Sequence, residues 1–508
     1  MNRLIAFGTL VFGFVLETLA VTVNTQVFHN PILPGFYSDP TACRGPNGTF
    51  CLAASSLQFF PIIPLFESTD LVHWTLKGHA ITEPGVSPLG SEEIEYAGFF
   101  APTLRYWNGL FYLCVSSCAP RADGTTQGAV VMTAPRLEGP WTKPVSVDWK
   151  GQWFGDPSLD FHADGKCYFT ATTGRTILLA EFDPVALKLK EAPREVWSGT
   201  GAIYPEGPHV YKRGEWYYLL LAEGGTEYGH QESIARSKCV YGPYESCPHN
   251  PIATHARLFA QGSKLQAIGH GDFVEDDAGN AFFICHATRP QFGMHHLLGR
   301  ETVCAPAKWV DGWPVVNDGK AIADTPQNTE TLPAWDWTWI CNPSLADYAI
   351  DEKAKTVTLT PSGVKLTDVG SPTFVGTRQV RIEDEFSARL LAQPSAGAQT
   401  GVAAYMGRSH HYALVFERSG ASCRAFVRYR LGTMEFKSES VEVTSFPAKI
   451  RVAASAKSYD FFVNGQRVAT ADARHISCET NSDSPYNGVV FGFFAEGDPA
   501  TGKVRFGY

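Results

Sequence analysis

Apolar and polar residues in the first two-thirds of the chain follow one arrangement that recurs five times. Each copy has a polar or proline-containing start, a short apolar stretch, a turn with Gly, Asn or Asp, and a second stretch rich in aromatic residues. Two apolar stretches joined by such a turn predict a β-hairpin. The copies begin near Asp39, Pro102, Asp156, Glu206 and His270, at successive spacings of 63, 54, 50 and 64 residues.

A second recurring piece follows each hairpin, and most of these pieces contain a tryptophan. They occupy residues 66–78, 133–144, 180–199, 235–248 and 298–317. About four strands in each of five repeats predict a five-bladed β-propeller over residues 27–320. An antiparallel sandwich with irregular loops is the alternative. The propeller is favoured because the two pieces recur in the same order five times.

The hydrophobic pattern changes in the last third of the chain. Residues 321–346 contain Pro and Trp and are predicted to form a linker, whereas residues 347–508 show strands of alternating polarity. Asn464-Gly465 is a strong hairpin signal within them. This pattern predicts two stacked sheets, a lectin-like (concanavalin-like) β-sandwich. We therefore expect an all-β protein, with His410, His411 and Tyr412 on the sandwich surface or in a sugar-contacting patch.

The N-terminal residues 1–20 have the features of a secretory signal peptide. Arg3 precedes an apolar run over residues 4–16, and small residues follow near Ala20. A membrane anchor is the alternative, but Glu17 interrupts the run, so we expect a secreted, extracellular protein. The net charge of −9 argues against nucleic acid as a partner. A membrane is not an expected partner either, because no later apolar stretch is long enough to cross one.

Twelve cysteines fit an oxidising compartment. No CxxC pair occurs, so thiolate binding of a metal is not expected. Asn47-Gly48-Thr49 is a glycosylation sequon, which predicts a glycoprotein. The expected disulfides are Cys43–Cys51, Cys239–Cys247 and Cys423–Cys478.

Three of the repeats begin with an acidic residue beside a proline or a Gly-Pro pair: Asp39, Asp156 and Glu206. The first strand of each propeller blade lines the central channel, so these carboxylates are expected at equivalent positions around one mouth, with His270 pointing into the same channel. Glycoside hydrolysis needs two carboxylates, one protonated and one ionised, and a third can raise the pKa of the acid. Each motif alone is a common turn at the start of a strand, but their recurrence indicates a site.

The chain resembles glycoside hydrolases of family 43, in the two-domain branch with β-xylosidases and α-L-arabinofuranosidases. The resemblance implies that Asp39 is the general base, Glu206 the general acid, and Asp156 the carboxylate that tunes and orients this acid. It also implies inversion in a single displacement, with carboxylates roughly 6.5–9.5 Å apart. The matching stretches are NPILPGFYSDP (30–40), LFESTDLVHWTLKGHAI (65–81), FGDPSLDF (154–161), YPEGPHVYKRGEWYYLLLAEGGT (204–226), IGHGDF (268–273) and LGRETVCAPAKWVDGWPVVN (298–317).

Other pocket residues follow from the same resemblance. Arg300 matches an arginine that contacts the sugar, with an ion pair to Glu301 as the alternative. His270 matches a channel histidine that in some relatives holds calcium or a water, so calcium near His270 is an option although no cofactor is required. Thr226 is expected in the pocket lining or in a plain turn.

The chain departs from the xylosidase pattern at two pocket positions. Leu57 stands where an aromatic residue is usual, and Phe100 stands where Trp often precedes Ala-Pro. Both changes reshape the sugar site and leave the choice between xylose and arabinose open.

The implied function is that of a secreted, inverting exo-glycosidase that releases terminal or side-chain pentoses, xylose and/or L-arabinose, from xylan or arabinoxylan. The sandwich is expected to narrow the pocket, with sugar binding as its alternative role. A non-catalytic carbohydrate-binding propeller–sandwich protein is the alternative for the whole chain, and the three acids argue against it.

Overall fold

Antiparallel strands form five small sheets followed by two larger ones. The computed structural model describes residues 28–86, 98–118, 127–150, 152–291, 293–325, 336–480 and 486–508. The predicted signal peptide lies outside these ranges. Within them, no helix has the length and apolar character needed to cross a bilayer.

The five small sheets are the blades of a propeller, which confirms the predicted fold class. Blade 1 comprises Thr41–Arg44, Phe50–Ala53, Ile62–Ser68 and Thr75–Ile81. Blade 2 comprises Gly98–Trp107, Leu110–Cys118, Gln127–Ala134 and Val145–Val147. Blade 3 comprises Gly155–Phe161, Cys167–Thr172, Ile177–Asp183, Lys188–Leu189 and Arg194–Trp197. Blade 4 comprises Glu206–Arg213, Trp216–Glu223, Gln231–Ser237, Glu245–Ser246 and Ala253–Thr254. Blade 5 comprises Gln266–Glu275, Ala281–Thr288, Glu301–Val310 and Trp313–Val316.

The hairpin turns of the blades lie where the sequence predicted them. In blade 2, Asn108 and Gly109 both have positive φ values, of 48° and 82°. A two-residue turn of this type matches the twist of the strands that it joins. The first strand of every blade contacts the first strands of its two neighbours, so these strands form a closed ring around the channel.

Two larger sheets pack face to face as the predicted sandwich. The first has the order Phe59–Phe60, Thr338–Ile340, Phe374–Arg378, Val490–Glu496, Gln399–Gly407, His410–Ser419, Ser422–Leu431 and Met434–Lys437, with Val441–Val443 beside Ser422–Leu431. The second has the order Tyr348–Asp351, Thr356–Leu359, Val504–Gly507, Asp384–Leu390, Ala448–Ala454, Ser458–Val463 and Gln466–Asp472. Short 3₁₀ turns span Pro46–Gly48, Leu258–Gln261, Asn317–Gly319, Leu345–Asp347, Ala473–Ile476 and Pro499–Thr501.

A strand from the propeller is part of the sandwich. Phe59–Phe60 leaves blade 1 and pairs with Thr338–Ile340 at the edge of the first large sheet. Beside it, Asp336 accepts hydrogen bonds from Tyr37 of the propeller at 3.1 Å and from Arg378 of the sandwich at 2.6 Å. These buried contacts fix one side of the sandwich against blade 1.

The predicted disulfides are not formed, because all twelve cysteines are free thiols. Cys43 and Cys51 are opposite each other in blade 1, but both lie in its apolar core, and burial raises the pKa of Cys51 to about 12. Buried thiols of this kind behave as small apolar side chains. The remaining predicted partners face different surroundings: Cys239 is exposed and Cys247 buried, while Cys478 lies 2.8 Å from the carbonyl oxygen of Asn487 and Cys423 lies 3.9 Å from that of Arg424.

A second correction concerns the sandwich residues His410, His411 and Tyr412. All three are buried, so they form neither a surface strand nor an exposed sugar-contacting patch. His411 stacks on Tyr405, with ring centroids 5.4 Å apart. Both faces of this strand are covered, because Tyr412, Leu414 and Phe416 pack into one apolar cluster and Ala413 and Val415 pack into another. Asn47 is exposed, and its glycosylation stays a prediction.

A buried polar cluster on the propeller axis, here called the axial network, contains one residue from each blade: Thr41, Arg105, Asp160, His209 and Asp272. The guanidinium of Arg105 donates to both carboxylate oxygens of Asp272, at 2.7 and 3.2 Å, and to Thr41 Oγ1 at 3.1 Å. It also lies 3.4 Å from an Asp160 oxygen and 3.1 Å from Nδ1 of His209.

The charges of this network depend on one another. Although burial opposes ionisation of Asp272, Arg105 holds the pKa of this carboxyl at about 2. Burial raises the pKa of Asp160 to about 6, against the effect of Arg105. Arg105 is thus the cation that makes two buried carboxyl groups tolerable in the channel.

We expect Arg105→Ala to destabilise the protein by about 3–5 kcal/mol, since breaking a buried ion pair leaves an uncompensated charge. Arg213→Ala removes an exposed partner of Glu275 and is expected to cost at most about 1 kcal/mol. Urea denaturation measures both. In the Arg105 variant the pKa of Asp272 rises above its unfolded value, so the loss of stability should shrink as the pH falls. A variant as stable as the parent would contradict the central role of Arg105.

Candidate active site

A repeated backbone feature sets the positions of the candidate acids. In or just before each inner strand, the residue at one matching repeat position has φ between 47° and 56°, and in blades 2 to 5 it lies beside a shift of pairing register. Blade 5 has a second such residue, Ala267, with φ of 51°. Positive φ is uncommon outside glycine and is often found at functional sites. The five residues are Asp39, Ala101, Asp156, Gly207 and His270.

This repeat corrects one expectation. Asp39 and Asp156 occupy the same position of their blades, but Glu206 lies one residue earlier, where blade 3 has Gly155. Since consecutive side chains of a strand diverge, the carboxyl of Glu206 approaches the channel from a different direction than the two aspartates. The three acids converge through different backbone geometry.

A cavity of about 520 Å³ opens at this end of the channel. All eight predicted site residues line it: Asp39, Leu57, Phe100, Asp156, Glu206, Thr226, His270 and Arg300. The sequence did not identify the further lining residues Ala101, Cys118, Trp153, Thr172, Gly174, Tyr204, Gly225, Glu227 and Tyr486. Trp153 and Tyr204 had a signal in the sequence, because Trp153 stands three residues before Asp156 and Tyr204 stands two residues before Glu206. Tyr486 had none, because it comes from the sandwich.

Asp39 is held as a carboxylate by a dense set of donors. Arg300 donates to both of its oxygens, at 2.8 and 3.4 Å, and Ser55 donates at 2.5 Å. Burial alone would raise the pKa of Asp39, but Arg300 and the contact with His286 hold it well below its usual value. Arg300 is therefore not paired with Glu301, which binds Arg289 instead at 2.6 Å.

Glu206 has the opposite environment. It is partly buried at the cavity wall, and its buried Oε1 has no hydrogen-bond partner among the described residues. Burial, followed by the nearby charge of Asp156, raises the pKa of Glu206 well above its usual value. Burial also raises the pKa of Asp156, whose Oδ2 accepts a hydrogen bond from the backbone N–H of Gly207 at 3.2 Å. Asp156 is thereby tied to the residue next to Glu206.

Two buried histidines behind the acids were missed from the sequence. Nδ1 of His286 accepts a hydrogen bond from the backbone N–H of Asp39 at 3.3 Å and lies 3.1 Å from an oxygen of the Asp39 side chain. His286 stacks on His230 with ring centroids 5.1 Å apart. Burial lowers the pKa of His286 to about 3 and that of His230 well below its usual value, so both rings are neutral. They support Asp39 without adding positive charge.

The surroundings of His270 do not fit a calcium site. Its Nδ1 lies 3.8 Å from an Asp39 oxygen, and its ring packs against Gly207. The oxygens of Asp39 already bind Arg300 and Ser55, whereas calcium takes six to eight oxygen ligands. No group of three or more His, Cys, Asp or Glu side chains suited to a metal occurs in the described part of the chain. We derive no step through calcium.

The arrangement places a carboxyl with a lowered pKa, Asp39, and a carboxyl with a raised pKa, Glu206, in one cavity. Asp39 can accept a proton, Glu206 can donate one, and Asp156 raises the pKa of the donor. Arg300, with its guanidinium 5.0 Å from the ring centroid of Tyr486, forms the wall between Asp39 and the sandwich. A general base and a general acid in one cavity are the groups needed for acid–base cleavage of a glycosidic bond.

Comparisons with known proteins agree with this chemistry. Residues 28–314 match the family model "Glycosyl hydrolases family 43", and residues 328–508 match "Beta xylosidase C-terminal Concanavalin A-like domain". A "Non-reducing end alpha-L-arabinofuranosidase" from Bacteroides ovatus is 34% identical, covering 94% of this chain and 93% of that protein. A "Xylosidase/arabinosidase" from Butyrivibrio fibrisolvens is 29% identical, covering 94% and 97%.

Solved structures show the same two-domain architecture. "Bacteroides ovatus Xyloglucan PUL GH43B" superposes with a TM-score of 0.84 at 33% identity, covering 94% of this chain and 99% of that one. The BlXynB protein from Bacillus licheniformis gives 0.84 at 28% identity, covering 94% and 98%. With the family model matched over most of the propeller and the acids gathered in its cavity, the chain belongs to glycosyl hydrolase family 43 and is a glycoside hydrolase of the xylosidase and arabinofuranosidase type.

Proposed function

We propose that the protein is a secreted exo-glycosidase that releases terminal or side-chain pentoses, xylose and/or L-arabinose, from xylan or arabinoxylan with inversion. The observation that carries the proposal is the pairing of two carboxyls with different surroundings and opposite pKa shifts in one cavity: Asp39 bound by Arg300, and partly buried Glu206 near Asp156. The relatives described as arabinofuranosidase and xylosidase support the choice of a pentose. Secretion rests on the pattern of residues 1–20.

In the proposed reaction, Asp39 removes a proton from a water that attacks the anomeric carbon. Glu206 gives its proton to the glycosidic oxygen, so that the leaving sugar departs as an alcohol. Asp156 keeps the pKa of Glu206 raised and, through the N–H of Gly207, fixes the backbone beside it. Arg300 holds Asp39 in place. Asp39 and Glu206 thus transfer protons, whereas Asp156 and Arg300 act through hydrogen bonds and charge.

Removal of terminal sugars follows from the walls of the cavity. Tyr486 of the sandwich and Leu57, whose backbone pairs with Phe99, line one side of it. These groups close the sandwich side, so a long polysaccharide is not expected to pass through the cavity. The non-catalytic alternative is not favoured, because the chain belongs to a hydrolase family and has both carboxyls, with pKa values shifted in the directions that hydrolysis needs.

The stereochemical outcome tests the mechanism directly. Proton NMR during hydrolysis of 4-nitrophenyl β-D-xyloside, or of 4-nitrophenyl α-L-arabinofuranoside, should show the inverted anomer of the free sugar first. Retention would mean a covalent intermediate and would overturn the role of Asp39 as a base. Hydrolysis of neither substrate, with arabinoxylan and arabinan also untouched, would contradict the proposed function.

Glu206→Gln should separate the acid from the base. We expect kcat/KM for an unactivated oligosaccharide to fall by about 10²–10⁴, the usual contribution of a general acid. A 2,4-dinitrophenyl glycoside should lose much less, because this leaving group departs without protonation. Asp39→Asn serves as the matched variant and should reduce both substrates strongly, since the water must be activated in either case. Equal losses in the Glu206 variant would argue against an acid role.

The pH profile tests the role of Asp156. Activity requires protonated Glu206, so it falls as the pH rises through the pKa of this residue. Asp156→Asn removes a negative charge that raises this pKa, so the alkaline limb of kcat/KM should move to lower pH. Glu227→Gln is the matched control, because Glu227 lines the same cavity and raises the same pKa less. An unmoved limb in the Asp156 variant, or a larger shift in the control, would contradict this assignment.

A further inference from the structure

The open side of the cavity carries two exposed aromatic residues for which the mechanism has no use. Trp153 is 40% exposed and Tyr204 is 59% exposed, and both line the cavity. Tyr204 also has a φ of 54°, which is uncommon for a bulky residue. Large aromatic side chains are usually buried in a core or used at a binding surface.

The two residues are equivalent in the propeller repeat. Trp153 stands three residues before Asp156, and Tyr204 stands three residues before Gly207, which are matching positions of blades 3 and 4. Each ring lies over a glycine of its own blade: a Cβ placed on Gly174 would be 4.0 Å from Trp153, and one on Gly225 would be 3.8 Å from Tyr204. Blades 3 and 4, which are adjacent, thus each place an exposed aromatic ring beside a glycine at the cavity.

Blade 1 shows how this position is used when something covers it. Its equivalent residue is Phe36, which is 1% exposed. Phe36 packs in an apolar cluster with Phe59, Ile340 and Phe374 of the first sandwich sheet. The sandwich therefore buries the aromatic residue of blade 1, whereas those of blades 3 and 4 remain uncovered at the cavity.

The position of the acid identifies the part of the substrate that would cover them. Glu206 protonates the oxygen of the departing sugar, so that sugar must lie on the Glu206 side of the cavity. Tyr204 is two residues from Glu206, and Trp153 is three from Asp156. Arg300, Tyr486 and Leu57, by contrast, close the side on which the sandwich lies. The departing sugar would leave the cavity over blades 3 and 4.

We propose that Trp153 and Tyr204 form a binding site for the leaving group, in which their rings contact the apolar C–H face of a pyranose unit next to the scissile bond. This inference rests on the proposed function and adds the chemistry of the acceptor side: the leaving group is a pyranose of an oligosaccharide, held by stacking. Removing a ring should weaken capture of substrates that carry such a sugar and spare the reaction at the pentose itself.

The test compares one pentose with two leaving groups. The pentose is the one that the parent enzyme cleaves, either xylose or L-arabinose. A pentosyl fluoride has only fluoride as its leaving group. Xylotetraose, or xylotriose substituted with α-L-arabinofuranose, has a chain of pyranose units as its leaving group. For Trp153→Ala and Tyr204→Ala, we expect the ratio of kcat/KM between oligosaccharide and fluoride to fall about tenfold each, mainly through KM. The double variant should lose more than either single one.

The controls separate stacking from folding. Trp153→Phe and Tyr204→Phe keep a ring and should retain most of the ratio. Phe436→Ala removes a 47% exposed aromatic residue of the sandwich and should leave the ratio and the fluoride rate unchanged. Thermal melting confirms that the variants are folded.

Two results would overturn the inference. An unchanged ratio in both alanine variants would show that the rings do not bind the leaving group. Proportional loss on both substrates would place the rings at the pentose or in a structural role. Neither result contradicts the proposed function. The proposed function would be contradicted if the parent enzyme cleaved no pentosyl substrate.

Discussion

The contact between Arg105 and the carboxyl groups on the propeller axis is the constraint on which the rest of the structure depends. Five sheets that meet around a channel bring five inner strands close together, and the polar groups facing the channel must be satisfied without bulk water. Arg105 does this by reaching Thr41, Asp160, His209 and Asp272, one residue in each other blade. The axial network thereby sets the spacing of the inner strands.

That spacing determines what happens at the cavity. In every blade, a residue with positive φ precedes the residue that joins the axial network. Such a backbone irregularity re-aims the side chains beside it. In blades 1 and 3 the residue is an aspartate, in blade 5 a histidine, and in blade 4 a glycine that lets the preceding Glu206 supply the carboxyl. The same backbone conformation recurs in five blades, yet the site is asymmetric. The side chains at this position differ between blades, and Glu206 lies one residue before it.

Burial then divides the carboxyls into two kinds. Asp39 is buried, and Asp156 and Glu206 are partly buried. Loss of water raises the pKa of a carboxyl that has no cation beside it. Asp39 escapes this effect because Arg300, from blade 5, and the neutral His286 bind it. Glu206 does not escape it, and Asp156 adds to the shift. Tyr486 of the sandwich lines the same cavity, while Trp153 and Tyr204 in its lining remain exposed.

The sequence by itself determined the repeat, the two-domain all-β fold and the eight residues expected at the cavity, because strand periodicity, turn residues and Asp-Pro or Gly-Pro motifs are local signals. It could not determine the one-residue offset of Glu206, which depends on strand register, nor the support by His286 and His230, which lie far along the chain from Asp39. It also predicted disulfides from cysteines near turns and a surface position for His410 to Tyr412, whereas tertiary packing buries most of these side chains. Only the folded chain decided the pairing of Arg300 with Asp39 rather than Glu301, and the insertion of Phe59–Phe60 into the sandwich sheet. The physical reason is the same in each case: which groups lose water, and which charges meet, is set by contacts between distant segments that no local pattern records.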